Sequence, residues 1–88
     1  MIAYSRTMEL DDELAGAVQD RPHWRIDGRA AIYAPPDTTL TVRVQPMTQP
    51  TRSTRYVASV VRGDRAEYSR PTGTAIEAIR WAERVKLD

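Results

Sequence analysis

Tyr56-Val57-Ala58-Ser59-Val60-Val61-Arg62-Gly63-Asp64-Arg65-Ala66-Glu67-Tyr68-Ser69, followed by Pro71-Thr72-Gly73-Thr74-Ala75-Ile76-Glu77, decides the fold class. The first six residues are β-branched or apolar enough for a central strand. Arg62-Gly63-Asp64-Arg65 is a turn, and residues 66–69 pair back as the second arm of a hairpin. Pro71-Thr72-Gly73 then breaks the strand. Thr74 and Glu77 stand at the spacing of a capping box, in which the Thr hydroxyl meets the Glu77 N–H and the carboxylate returns to the Thr74 N–H. A helix therefore starts at Thr74. Ala75, Ala78, Ile79, Ala82 and Val85 recur at three- and four-residue spacing, which predicts an inward stripe flanked by Ile76 and Trp81, with Glu77, Arg80, Glu83, Arg84 and Lys86 outside. Small alanines let such a helix lie close on a sheet, and Trp81 with the alanine stripe is expected to be central to stability.

Working toward the N-terminus, residues 46–54 hold two prolines and no periodicity, a loop longer than a usual hairpin connection and so expected to be mobile and functional. Leu40, Val42 and Val44 alternate with Thr39, Thr41, Arg43 and Gln45, the pattern of a half-buried strand. Pro35-Pro36-Asp37 is a turn. Residues 24–34 read as extended around Asp27-Gly28, a hairpin dipeptide. Asp11 caps a short helix over 12–20, with Asp12 and Glu13 favourably placed against the helix dipole, and Pro22 closes it. Residues 2–10 alternate with period two and read as a strand, against a competing helix from Thr7 suggested by Leu10, Leu14 and Val18 at four-residue spacing, with the division set at Asp11. The sum is a single α+β domain over 1–88: one antiparallel sheet of three to five strands with two helices packed on one face, in the order β-α-β-β-β(β)-α.

Composition removes whole classes of chemistry. The chain has no cysteine, so disulfides, thiolate nucleophiles and cysteine metal sites are absent. His23 is its one histidine, which suits a partly exposed residue or a carbonyl cap better than a general base. Asp11, Asp12 and Glu13 are adjacent on a helix, so their side chains diverge rather than converge on a metal. The four glycines are not spaced to cradle phosphate. Arg62-Gly63-Asp64 is explained by its turn. No catalytic, cofactor-binding or metal-binding residue can be assigned, and the reading is a non-enzymatic protein without cofactors. Residues 1–6 lack the apolar run of a signal peptide and nothing approaches a membrane span, so the expectation is a cytoplasmic chain with no membrane partner.

What remains is binding. Net charge is +1, but residues 1–40 carry seven acids against four arginines, while residues 41–88 carry nine basic residues against five acids. Arg62, Arg65 and Arg70 on the hairpin and Arg80 and Arg84 one turn apart on the last helix form a candidate guanidinium patch beside Tyr56 and Tyr68. Arg52 and Arg55, at the end of the 46–54 loop, complete the candidate partner-binding set with Tyr68. Interleaved Glu67, Glu77 and Glu83 favour an ordinary solvated face of ion pairs over a free patch. Twelve Arg, four Tyr and two Trp are many of the residues that dominate protein interfaces. A protein partner is accordingly the leading expectation, with the 46–54 loop, the 62–65 turn and the outer face of the last helix as contact surfaces. Nucleic acid bound by the basic segment 55–86 is the alternative. A homodimer through the strand edge at 2–10 is a third reading.

Segment 56–82, with Thr74-x-x-Glu77-Ala78-x-x-Trp81-Ala82, resembles the three-strand-plus-helix domains by which phage integrases grip their arm sites, which implies a sheet that enters the major groove. The core order also resembles double-stranded-RNA-binding domains. That family opens its last helix with a lysine cluster that clamps phosphates, where this chain has Thr74-Ala75-Ile76-Glu77. In size and build the chain is similar to small phage-encoded inhibitors of bacterial defence machinery, including anti-CRISPR proteins. That likeness implies a protein that blocks or bridges a partner.

Overall fold

The computed structural model describes residues 11–85. Along them run α1 (Asp12–Val18), β1 (Trp24–Asp27), β2 (Ala30–Tyr33), β3 (Thr41–Pro46), β4 (Tyr56–Arg62), β5 (Arg65–Thr72) and α2 (Ala75–Arg84). The strands form one antiparallel sheet in sequential order, and both helices contribute to a single core on one of its faces. The α+β architecture read from the sequence is the one observed, with five strands. The strand expected over residues 2–10, and the dimer edge assigned to it, lie outside the described residues, so the described chain opens on α1.

The β1–β2 and β4–β5 hairpins each turn through two residues with glycine first: Gly28-Arg29 and Gly63-Asp64. Both glycines have φ +64°, and the residues after them keep negative φ. Positive φ at the first central residue alone is the pattern of a type II′ turn, whose twist matches the flanking strands. Asp27 is therefore the last residue of β1 and not a central turn residue. The helix predicted over 12–20 ends at Val18, because the chain turns extended at Gln19 (ψ 133°) and left-handed at Asp20 (φ 62°). His23 is exposed in a left-handed conformation (φ 70°), and its carbonyl accepts from Ala34 N at 2.8 Å.

Pro71 does not break β5. The strand continues through it to Thr72, paired with Val57 and Tyr56 of β4. This is tolerated because β5 is an outer strand among the described residues, and a proline that cannot donate is harmless at a sheet edge. A bulge near the other end leaves Glu67 as an extra residue, since Val60 faces Tyr68 while Val61 faces Ala66.

Residues paired directly across an antiparallel sheet share a face. The row Ala31, Val44, Ala58 and Arg70 thus lies on the helix side, as does the row Tyr33, Val42, Val60 and Tyr68. Val42, Val44, Ala58 and Val60 are fully buried under Ala75, Ala78, Ile79 and Ala82 of α2, the stripe anticipated from spacing, together with Leu14 and Val18 of α1. Trp81 is only partly buried and packs at the rim, so the alanines and Ile79, not the indole, form the centre of the contact.

Two carboxylates hold α2 at its ends. Glu13 of α1 accepts from the Ala75 N–H at 2.9 Å and from Arg55, whose Nε donates to the Gly73 carbonyl at 3.0 Å. Glu83 accepts from Arg21 Nη1 at 2.7 Å and from Trp24 Nε1 at 2.9 Å. The capping box is present as expected. Among the described residues no helix is long and apolar enough to cross a membrane.

Replacing Ala78 by Leu tests the closeness of the helix. Its Cβ is fully buried against the sheet, so the larger side chain is expected to lower stability by about 1–3 kcal/mol in chemical denaturation. An unchanged midpoint would show that α2 has room to spare.

The Ala75 N–H bond, reinforced by Arg55, holds the Glu13 carboxyl below its usual pKa. A carboxyl depressed in the folded state stabilises fully above its unfolded pKa, and that stability is lost as pH falls through the folded value. Denaturation midpoints are therefore expected to drop on acidification below about pH 4.5, with a shallower drop in Glu13→Gln. Parallel acid limbs in the two proteins would contradict this.

Candidate functional site

On α2, Glu77, Arg80, Trp81 and Arg84 recur at i, i+3, i+4 and i+7, which sets them in one stripe beside the buried alanines. That stripe faces β5. Between them lies a cleft of about 400 Å³ lined by Glu77, Arg80, Trp81 and Arg84 from the helix, Arg70, Pro71 and Thr72 from the strand, and Ser53 and Gly73 from the adjoining loops. Tyr68, 48% exposed and two residues from Arg70 on the same face, meets Trp81 edge to face with ring centroids 6.1 Å apart. This contact is of the favoured T-shaped kind and ties strand to helix at the cleft's side.

Gly73 lies where the 47–55 loop closes tightly on this region. A Cβ there would stand 3.0 Å from the Ser53 carbonyl oxygen and 3.4 Å from a Glu77 carboxylate oxygen. The loop itself is internally bonded. Met47 N donates to the Arg55 carbonyl and Thr51 N to the Thr54 carbonyl, each at 2.9 Å.

The sequence favoured a face of ion pairs, and the structure forms one of them, Arg62–Glu67, outside the cleft, while the other two acids are engaged elsewhere. Glu67, displaced by the bulge, takes Arg62 Nε at 2.8 Å. Glu83 is bonded to Arg21 and Trp24. Glu77, which does line the cleft, turns one oxygen to the cap, accepting from Thr74 N and Oγ1 at 3.1 Å each. Among the described residues, Arg70, Arg80 and Arg84 have no carboxylate within 4.0 Å. Three guanidiniums thus converge on one concave flank, and Glu67, Glu77 and Glu83, which neighbour them in sequence, are occupied by structural bonds.

Of the eight residues singled out from the sequence, the structure brings together Tyr68, Arg70, Arg80 and Arg84. Arg52 is exposed next to Ser53. Arg55 is bound inward by Glu13 and Gly73, with its guanidinium carbon 5.4 Å from the Tyr56 ring centre. Arg62 is paired with Glu67, and Arg65 closes the hairpin about five residues from Arg70, roughly 17 Å away along the strand. Tyr56 is buried and donates to Asp11 Oδ1 at 2.7 Å; burial, then the Asp11 carboxylate, push its phenol above its ordinary pKa, so it stays protonated as a structural donor. Trp81, Pro71 and Ser53 were not anticipated as cleft residues. The signal for Trp81 was its place in the 77, 80, 81, 84 stripe, which marks a second helix flank with a neighbour of its own.

The helix-free face of the sheet carries a depression of about 460 Å³, lined by residues that include Arg25, Ile32, Arg43 and Ser59. Several polar groups on this face bond to each other. Arg43 lies 3.6 Å from Asp27 and donates to Gln45 at 3.1 Å, and the Ser59 and Ser69 hydroxyls share a 2.8 Å bond. Among the described residues no group of three His, Asp or Glu side chains is placed to share a metal ion.

Fold and flank together define a small α+β scaffold with a cationic cleft between its last strand and last helix. Compared with known proteins, the chain matches no family model, no curated protein and no solved structure.

Proposed function

We propose that this chain is a small binding protein that works by docking a protein partner on the flank formed by α2 and β5. The observation that carries the reading is the convergence of Arg70, Arg80 and Arg84, without ion-pair partners among the described residues, beside the edge-to-face Tyr68–Trp81 pair. Arg, Tyr and Trp are the residue types that most often dominate protein interfaces. Trp81 is packed against the core and Tyr68 against Trp81, so these rings are ordered before a partner arrives and little rotamer freedom is lost on binding. Unneutralised guanidiniums favour a partner surface rich in carboxylates, which also raises the rate of productive encounter.

Two features favour a protein over a nucleic acid. The arginines are gathered in a cleft and not strung along a groove that would track a phosphate backbone. The Tyr68 and Trp81 rings meet each other at 90°, an arrangement spent on the tertiary contact and not on a platform for stacked bases. In the proposed role the chain blocks the partner it binds.

The test is a charge reversal at exposed positions. Arg80→Glu with Arg84→Glu is expected to leave the circular dichroism spectrum and unfolding midpoint close to those of the parent. The same change should abolish stoichiometric retention of one protein from a nuclease-treated lysate, together with any inhibition of that protein's activity by the purified chain. Retention that survives the reversal, or that disappears with nuclease alone, would overturn the reading, the second outcome in favour of nucleic acid.

A further inference from the structure

β5 is paired with β4 alone among the described residues, and seven of its eight residues are exposed. Its outer edge therefore presents backbone N–H and C=O groups that no ladder among the described residues satisfies. The same edge borders the cationic cleft, whose strand wall is Arg70, Pro71 and Thr72. The usable length is short. The bulge disturbs the strand at Glu67, and Pro71 has no N–H to give, which leaves Tyr68, Ser69 and Arg70 as the regular stretch between them.

A chain laid along such an edge presents every second side chain to the helix side of the sheet. On that side stand Tyr68 and Arg70 from the strand and Arg80, Trp81 and Arg84 from the helix. A guanidinium is a planar fork that receives a carboxylate through two parallel N–H···O bonds. The methylenes of a glutamate side chain match the indole of Trp81 on the way to the charge.

Resting on the protein-partner reading above, we propose that the partner supplies an extended segment rich in Asp and Glu. This segment pairs with the outer edge of β5 at residues 68–70 and sets alternate carboxylates against Arg70, Arg80 and Arg84. The edge gives affinity through main-chain hydrogen bonds, and the three guanidiniums select for acidic side chains.

The probe is a fluorescent peptide of about ten residues, a usual upper length for a strand, alternating Glu and Thr. A Lys-Thr peptide of the same length and a DNA duplex of about 20 base pairs serve as comparators across a salt series. The Glu-Thr peptide is expected to bind and the Lys-Thr peptide not to. Backbone amide shifts in NMR are expected to concentrate at Tyr68, Ser69 and Arg70. Replacing Arg80 and Arg84 by Gln, with folding checked by circular dichroism, is expected to weaken binding by about tenfold or more. Equal binding of both peptides, tighter binding of the duplex, or shifts confined to the helix-free sheet face would overturn the proposal. If the peptide fails while the Arg80→Glu, Arg84→Glu pair still releases the lysate partner, the extended-segment inference is wrong and the docking flank stands; if neither responds, both are wrong.

Discussion

Glu83 stands where the end of α1, the start of β1 and the last turn of α2 meet, and its two oxygens are taken by Arg21 and the Trp24 indole. Glu13 acts similarly at the other end of α2, accepting from the first helical N–H and from Arg55. Between these anchors, a face of alanines and one isoleucine brings the helix down on the central strands. With both ends held and one stripe buried, the orientation of the remaining stripes is no longer free. The stripe through Arg80, Trp81 and Arg84 must face β5, so the cleft follows from how the helix is pinned.

The same bonds set the electrostatics of that cleft. Among the described residues, three carboxylates that neighbour the arginines in sequence serve structural bonds: Glu83 in the α1–β1 junction, Glu77 in the helix cap, Glu67 in a pair with Arg62 across the bulge. A chain with net charge of only +1 can thus gather three arginines with no carboxylate partner among the described residues. Surface arginines gain little from solvent-exposed pairs in any case, so diverting these acids costs the fold little. What it leaves is a flank of three guanidiniums with no carboxylate partner among the described residues.

Much of the architecture was legible because the signals were local. The capping box at Thr74 and Glu77, the alanine stripe, the glycine turns and the alternation of Val42 and Val44 each depend on a few adjacent residues, and all appear where spacing placed them. The departures are tertiary. Pro71 reads as a strand breaker unless one knows that its strand is an outer one, and the end of α1 was set by backbone angles at Gln19 and Asp20 that no side chain announces. The candidate site was half legible for the same reason. The arginines were visible, but the fate of their acidic neighbours depends on contacts such as Arg21–Glu83, which span most of the chain. Counting opposite charges along the sequence therefore anticipated the local Arg62–Glu67 pair but not the loss of Glu83 to Arg21 and Trp24.

The guanidiniums of Arg70, Arg80 and Arg84 have no bonding partner among the described residues. NMR measurement of arginine side-chain Nε–H exchange tests this residue by residue, because a bonded guanidinium shields its Nε–H from water. The three cleft arginines are expected to exchange rapidly, while the Nε–H groups of Arg21, Arg55 and Arg62, bonded to the Ala17 carbonyl, the Gly73 carbonyl and Glu67, are protected. Protection at Arg80 and Arg84 equal to that at Arg21 would mean that the cleft is neutralised from within, and would contradict the claim.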